Sequence, residues 1–201
     1  MALRVLGIDP GLTRCGVAVV EGPPASPRAV IGEVVRTPAG DELEQRLRSV
    51  HAAVTHAIAQ HRPDVVACER VLFSRNVRTA MATGQAAGVA LLAAAEAGVP
   101  VAHYSPNDVK LSVAGYGDAD KDGVAKMVRA QLGLEHTPSP ADLADAYAVA
   151  LTHLLRARGI AAASGPAGRA QGWEAVLQRP HLRVTGGTSP PPTAPPPGGA
   201  A

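Results

Sequence analysis

The chain has 201 residues, 19 Lys and Arg against 17 Asp and Glu, and a formal charge of +2. That length suits one domain with an extension, and the near-balance of charge excludes both a uniformly basic nucleic-acid coat and a strongly acidic chain. With one Phe, three Tyr and one Trp, the core has to be built from Ala, Val, Leu and Ile. Two cysteines, Cys15 and Cys68, cannot make a disulfide framework or a four-thiolate zinc site; they are expected as buried thiols in a reducing compartment. No apolar run approaches the ~20 residues of a membrane span. The segment ahead of Gly7-Ile8-Asp9-Pro10 is too short for a signal peptide, so a cytoplasmic protein is expected.

Along the chain, Val5-Leu6-Gly7-Ile8 is a short apolar run ended by the turn signature Asp9-Pro10-Gly11. Gly16-Val17-Ala18-Val19-Val20 follows at hairpin distance, and a third strand is expected within 29–36. Short connections make these an antiparallel meander. A long helix follows, with Asp41 and Glu44 as a capping pair and Leu43, Leu47, Val50, Val54 and Ile58 at helical spacing. Pro63 stops it, and 65–69 reads as a fourth strand. A helix from about 77 to 97 ends at Gly98, and a fifth strand occupies 99–104. Ser105-Pro106 opens a short helix, Asp120 another that ends at Gly133, and Ser139-Pro140 the last. The order β-β-β-α-β-α-β-α-α-α predicts a mixed α/β sheet with helices on its faces. The folded domain is expected over 1–158. A flexible Ala/Gly/Pro-rich tail takes 159–201, disordered from about 186, where six Pro and four Gly fall in the last sixteen residues.

The chemistry is carried by acids beside apolar runs. Asp9 and Glu69 end the first and fourth strands, and sites in open α/β sheets form outside the carboxyl ends of strands. Asp142 and Asp145, three apart in the last helix, share a face. Each has an ordinary reading: a turn residue for Asp9, a strand-end charge for Glu69, an acid offsetting the helix dipole for Asp142. Asp145 is harder to dismiss, because its helix is apolar nearly all round. If the four converge, their summed charge requires counter-ions. Hard oxygen ligands suit Mg²⁺ or Mn²⁺, and a two-metal site can activate water against a phosphodiester. His51, His56 and His61, five apart, do not share a helix face and read as surface residues.

The motifs Leu6-Gly-Ile-Asp-Pro-Gly11, Cys68-Glu-Arg-Val71, Gly84-Gln-Ala-Ala-Gly88 and Asp142-Leu-Ala-Asp-Ala-Tyr147, in this order, resemble the RuvC family of Holliday-junction resolvases over roughly residues 3–156. The resemblance implies a ribonuclease H-like fold with a five-stranded mixed sheet. It implies a homodimer that cuts four-way DNA junctions by paired symmetric nicks, leaving 5′-phosphate and 3′-hydroxyl ends, in recombination and repair. It implies that Asp9, Glu69, Asp142 and Asp145 are the catalytic, metal-binding acids, with two Mg²⁺ per site and Mn²⁺ able to substitute. Asp9 is expected to bridge the ions. The branch-migration proteins RuvA and RuvB are the implied partners.

Phe73, Arg75, Arg78, Lys110 and Lys121 are the expected DNA contacts. Arginines at 70, 75 and 78 stand in a stretch without acids. Lys110 and Lys121 match basic family positions. Phe73 reads either as a loop anchor or as a wedge stacking on bases. Ala80, Gly84 and Gly88 form a stripe that either packs on the sheet or contacts a second subunit. Three rivals remain: an actin-like ATPase or sugar kinase, for which the chain lacks a second lobe; a junction binder without nuclease activity; and a ribonuclease H-like nuclease on another substrate.

Overall fold

The structure is a computed structural model that describes residues 2–71 and 76–163. Its elements are β1 (Leu3–Asp9), β2 (Arg14–Gly22), β3 (Arg28–Arg36), α1 (Leu43–His61), β4 (Val65–Glu69), α2 (Val77–Glu96), β5 (Val101–Tyr104), α3 (Pro106–Ala114), α4 (Lys121–Leu132) and α5 (Ala141–Ala163). The expected order holds for all ten. The expected tail lies outside the described residues, apart from the end of α5.

One sheet has the strand order β3-β2-β1-β4-β5. The meander is antiparallel, and β4 and β5 add to it in parallel. Side chains alternate between faces along each strand. Val5, Ala18, Val20, Val65 and Ala67 face α3, α4 and α5. Leu6, Ile8, Cys15, Val17, Val19, Val66 and Cys68 face α1 and α2. A strand buried on both faces reads as a continuous apolar run rather than an alternating one, which is why β1, β2 and β4 were legible. Both thiols are buried and free, and burial pushes each up to about 12.

Three details differ from expectation or resolve it. The N-cap of α1 is Glu42, with no side-chain cap, instead of Asp41. A tertiary clamp holds the chain entering this helix: Thr37 donates to the Leu12 carbonyl, and Arg46 donates to the hydroxyls of Thr37 and Thr13, both at 2.9 Å. Leu43 is exposed, and Ala57 joins Val50, Val54 and Ile58 on the buried face. Gly84 and Gly88 do not pack on the sheet; nothing described lies within 4 Å of where a Cβ would stand.

Ser105 caps α3 in a reciprocal capping box with Asp108. Hydrogen bonds from Ser105, and then Arg156 at 2.9 Å, hold the Asp108 carboxyl down at about 2. Ser105→Ala is expected to lower stability by about 1 kcal/mol, measured by urea unfolding; an unchanged midpoint would mean that Arg156 alone secures the helix end.

Candidate active site

Register brings the first two acids together. Ile8 pairs with Cys68 across the parallel β1–β4 ladder, so Asp9 and Glu69 leave the same end of adjacent strands. They also point to the same face. Val5 and Ala67 pack toward α5, and Asp9 and Glu69 share their alternation.

Glycine brings in the other two. A Cβ on Gly7 would collide with the Ala146 carbonyl, and one on Gly16 with the Asp142 carbonyl. A Cβ on Gly32 would collide with the Tyr147 ring. Three neighbouring strands thus present a trough of bare backbone, and α5 lies in it. Asp142 and Asp145, in the first turns of α5, are thereby set over the end of β1.

Burial and mutual repulsion show in the protonation of the group. The Asp9 carboxyl is pushed up to about 8, first by burial and then by Asp145, Glu69 and Asp142, with Lys121 acting in the opposite direction. Glu69 is raised by burial and by Asp145. A buried acid elsewhere on the sheet behaves in the opposite way. Glu21, paired by Arg4 at 2.7 Å and by Arg28, is held below the usual carboxylate range. Stabilising pairs surround Glu21, whereas Asp9 is crowded by its own kind. Such a cluster is maintained at a cost, as functional sites are.

Two cations lie against the acids. Lys121 Nζ is 2.9 Å from Asp145 Oδ2, and Arg14 Nε is 3.0 Å from Asp142 Oδ2. The second contact is an ion pair without hydrogen-bond alignment, and Asp142 Oδ2 is buried with no hydrogen-bond partner. Among the described residues no three acidic, His or Cys side chains form a ready metal cage. The donor set nevertheless fits a hard divalent cation. It consists of carboxylate oxygens, it carries more negative charge than its two cations offset, and one buried oxygen is left without a donor.

A cleft of about 270 Å³ opens beside Asp9 and Glu69, lined further by Arg70, Thr79, Thr83 and Pro106. Of the expected DNA contacts, Arg78 is exposed in the first turn of α2 and Lys110 is half-buried on α3. Lys121 reaches the acids directly. Phe73 and Arg75 lie outside the described residues. Sequence reasoning missed Arg14 as a partner of Asp142 and missed the glycine trough. The signal for the trough was there: glycine inside an apolar strand marks close approach of another backbone.

Residues 5–153 match the family model for the crossover junction endodeoxyribonuclease RuvC. The crossover junction endodeoxyribonuclease RuvC of Salinispora arenicola is 54% identical over 155 residues, covering 77% of this chain and 89% of that protein. The Saccharopolyspora erythraea protein of the same name is 48% identical over 180 residues, covering 89% and 88%. The structure of Thermus thermophilus RuvC in complex with Holliday junction substrate superposes with a TM-score of 0.75 at 44% identity, covering 78% of this chain and 96% of that one. The fold is therefore ribonuclease H-like, and the chain belongs to the RuvC family of crossover junction endodeoxyribonucleases.

Proposed function

We propose that this chain resolves four-way DNA junctions by paired symmetric nicks, in homologous recombination and DNA repair. The observation that carries the reading is the convergence of Asp9, Glu69, Asp142 and Asp145 on one corner of the sheet, beside a cleft open to a strand. The family is one of metal-dependent nucleases. The four acids would hold two Mg²⁺, with Mn²⁺ able to substitute. When bound, the metal supplies a nucleophilic water at neutral pH and stabilises charge on the leaving oxygen.

The chain's own residues seat the phosphodiester. Asp9 and Glu69 face the cleft, while the Arg70 guanidinium and the hydroxyls of Thr79 and Thr83 on its walls offer donors to phosphate oxygens. Pro10, Val71, Ala80 and Pro106 supply its apolar lining. In-line attack on phosphorus leaves a 5′-phosphate and a 3′-hydroxyl. Lys110, Lys121, Arg75 and Arg78 are assigned to the DNA backbone, and Phe73 to stacking on an unpaired base at the junction.

A homodimer suits a substrate with two symmetry-related scissile phosphates. The exposed stripe of Val77, Met81, Gly84, Gly88 and Leu92 on α2 is its proposed contact. RuvA and RuvB are the proposed partners in branch migration. The proposed site of action is the cytoplasm. Among the described residues no helix is long and apolar enough to cross a membrane.

The test is strand cleavage of a mobile synthetic four-way junction with Mg²⁺ or Mn²⁺, beside linear duplex and RNA–DNA hybrid. Symmetric nicks on the junction alone are expected. Cleavage of hybrid or duplex in preference would overturn the substrate. Tight junction binding without cleavage under either metal would overturn the enzyme.

A further inference from the structure

The acid cluster has a second basic flank, across β1 from Arg70 and Arg78. Arg14 and Arg36 are direct partners across the antiparallel β2–β3 ladder, so their side chains share a face. It is the face on which α5 lies: Gly16 and Gly32, in alternation with Arg14 and Arg36, meet Asp142 and Tyr147. Like charges directly opposite one another destabilise a ladder. Here only one of the two is balanced. Arg14 reaches Asp142, while Arg36 is exposed and has no ion-pair partner among the described residues.

We infer that Arg14 and Arg36 form a phosphate-binding pair, which holds the cut strand's backbone on the β2–β3 side of the acids. The inference rests on the proposed junction-cleaving reading and adds to it the path of the strand. Arg70 and Arg78 stand on one side of Asp9, Arg14 and Arg36 on the other. β3 is two strand spacings, about 10 Å, from β1, within reach of neighbouring phosphates of a strand that crosses the acids. The pair has geometric reasons to bind an anion. Two arginines stand directly opposite on one face of the ladder, each offers a planar fork that matches phosphate, and a phosphate bound across them offsets their like charge. Their placement at strand ends fixes the backbones that carry them, so little order has to be gained on binding.

The experiment is the salt dependence of binding to a four-way junction and to linear duplex, with Ca²⁺ replacing Mg²⁺ so that binding is read without turnover. Arg36→Gln and Arg14→Gln are each expected to reduce the slope of log K against log salt by about 1, and the double variant by about 2. Arg36→Lys keeps the charge and is expected to keep the wild-type slope. Arg62→Asn is the control. Arg62 caps α1 at the opposite end of the sheet with φ 46°, a left-handed conformation that Asn tolerates; its slope is expected to stay at the wild-type value. Wild-type slopes in both glutamine variants would overturn the pair. An equal fall in Arg62→Asn would reduce it to a general charge effect and overturn it too. If the wild type shows no preference for the junction over duplex while the glutamine variants still lose slope, the phosphate pair stands and the junction reading fails.

Discussion

Asp9→Asn is expected to abolish cleavage and at the same time to stabilise the metal-free protein at pH 8. Changes one shell out from a metal cost ~10–100-fold, so loss of a group facing the cleft at the centre of the acid cluster should cost more than ~100-fold. The stability gain follows from linkage. The Asp9 carboxyl titrates near 8 in the fold instead of at its ordinary 3.8. Between those values the folded state binds more protons than the unfolded one, so stability falls as pH rises through the window. At about 1.4 kcal/mol per pKa unit the full cost is on the order of 6 kcal/mol, and it is complete above pH 8. Glu69, also raised, adds to the same trend. Asparagine removes the Asp9 share. Thermal unfolding in EDTA from pH 4 to 8 should therefore show wild type and variant nearly coinciding at the acid end and separating as pH rises. Parallel curves would mean that the acids are spaced or solvated well enough not to repel.

Gly16→Ala is expected to damage both the fold and the reaction, although alanine is the smallest change available. Its Cβ meets the Asp142 carbonyl, a backbone atom that cannot rotate aside. Overpacking of this kind costs about 1–3 kcal/mol, and the upper end is expected because helix α5 as a whole has to move. The catalytic loss should exceed the stability loss. A misplacement of ~1 Å in a reacting group can cost ~100-fold, and the displaced turn carries Asp142. Urea unfolding and cleavage at a temperature where the variant is fully folded would separate the two. Gly40→Ala, where a Cβ meets nothing within 4 Å, serves as the neutral comparison. If Gly16→Ala cleaves normally while folded, the trough is a packing device alone.

The sequence made the scaffold legible for a physical reason. Apolar runs, glycine and proline stops and serine or aspartate caps are local signals, and they placed all ten elements in order. Asp9 and Glu69 were legible because an acid closing an apolar run is conspicuous, and Asp145 because its helix is otherwise apolar. What stayed hidden depends on distant partners. The entry to α1 is set by Thr37 and Arg46 reaching back to the turn after β1, so a local capping rule chose Asp41 where the chain uses Glu42. Gly7, Gly16 and Gly32 lie on three different strands, and their shared purpose appears only once α5 is laid across them. Arg14 looks like an ordinary strand-end cation until the ladder sets it beside Arg36 and the trough sets it beside Asp142.

The seating of α5 also governs how the site moves. From Ala146 to Leu151 the helix is buried at every residue, and its inner face touches β1, β2 and the helices α3 and α4. A segment with that density of contacts opens only when the whole domain opens. Asp9, Asp142 and Asp145 therefore ride on a single cooperative unit, without a hinge between them. Glu69 is followed by exposed chain, and the first turn of α2 beyond it is exposed at Val77, Arg78 and Thr79. Fluctuations of the site are thus expected to be one-sided: β1, α5 and the end of β4, where Glu69 pairs with Tyr104, stay still, and adjustment to a bent substrate falls to the exposed first turn of α2.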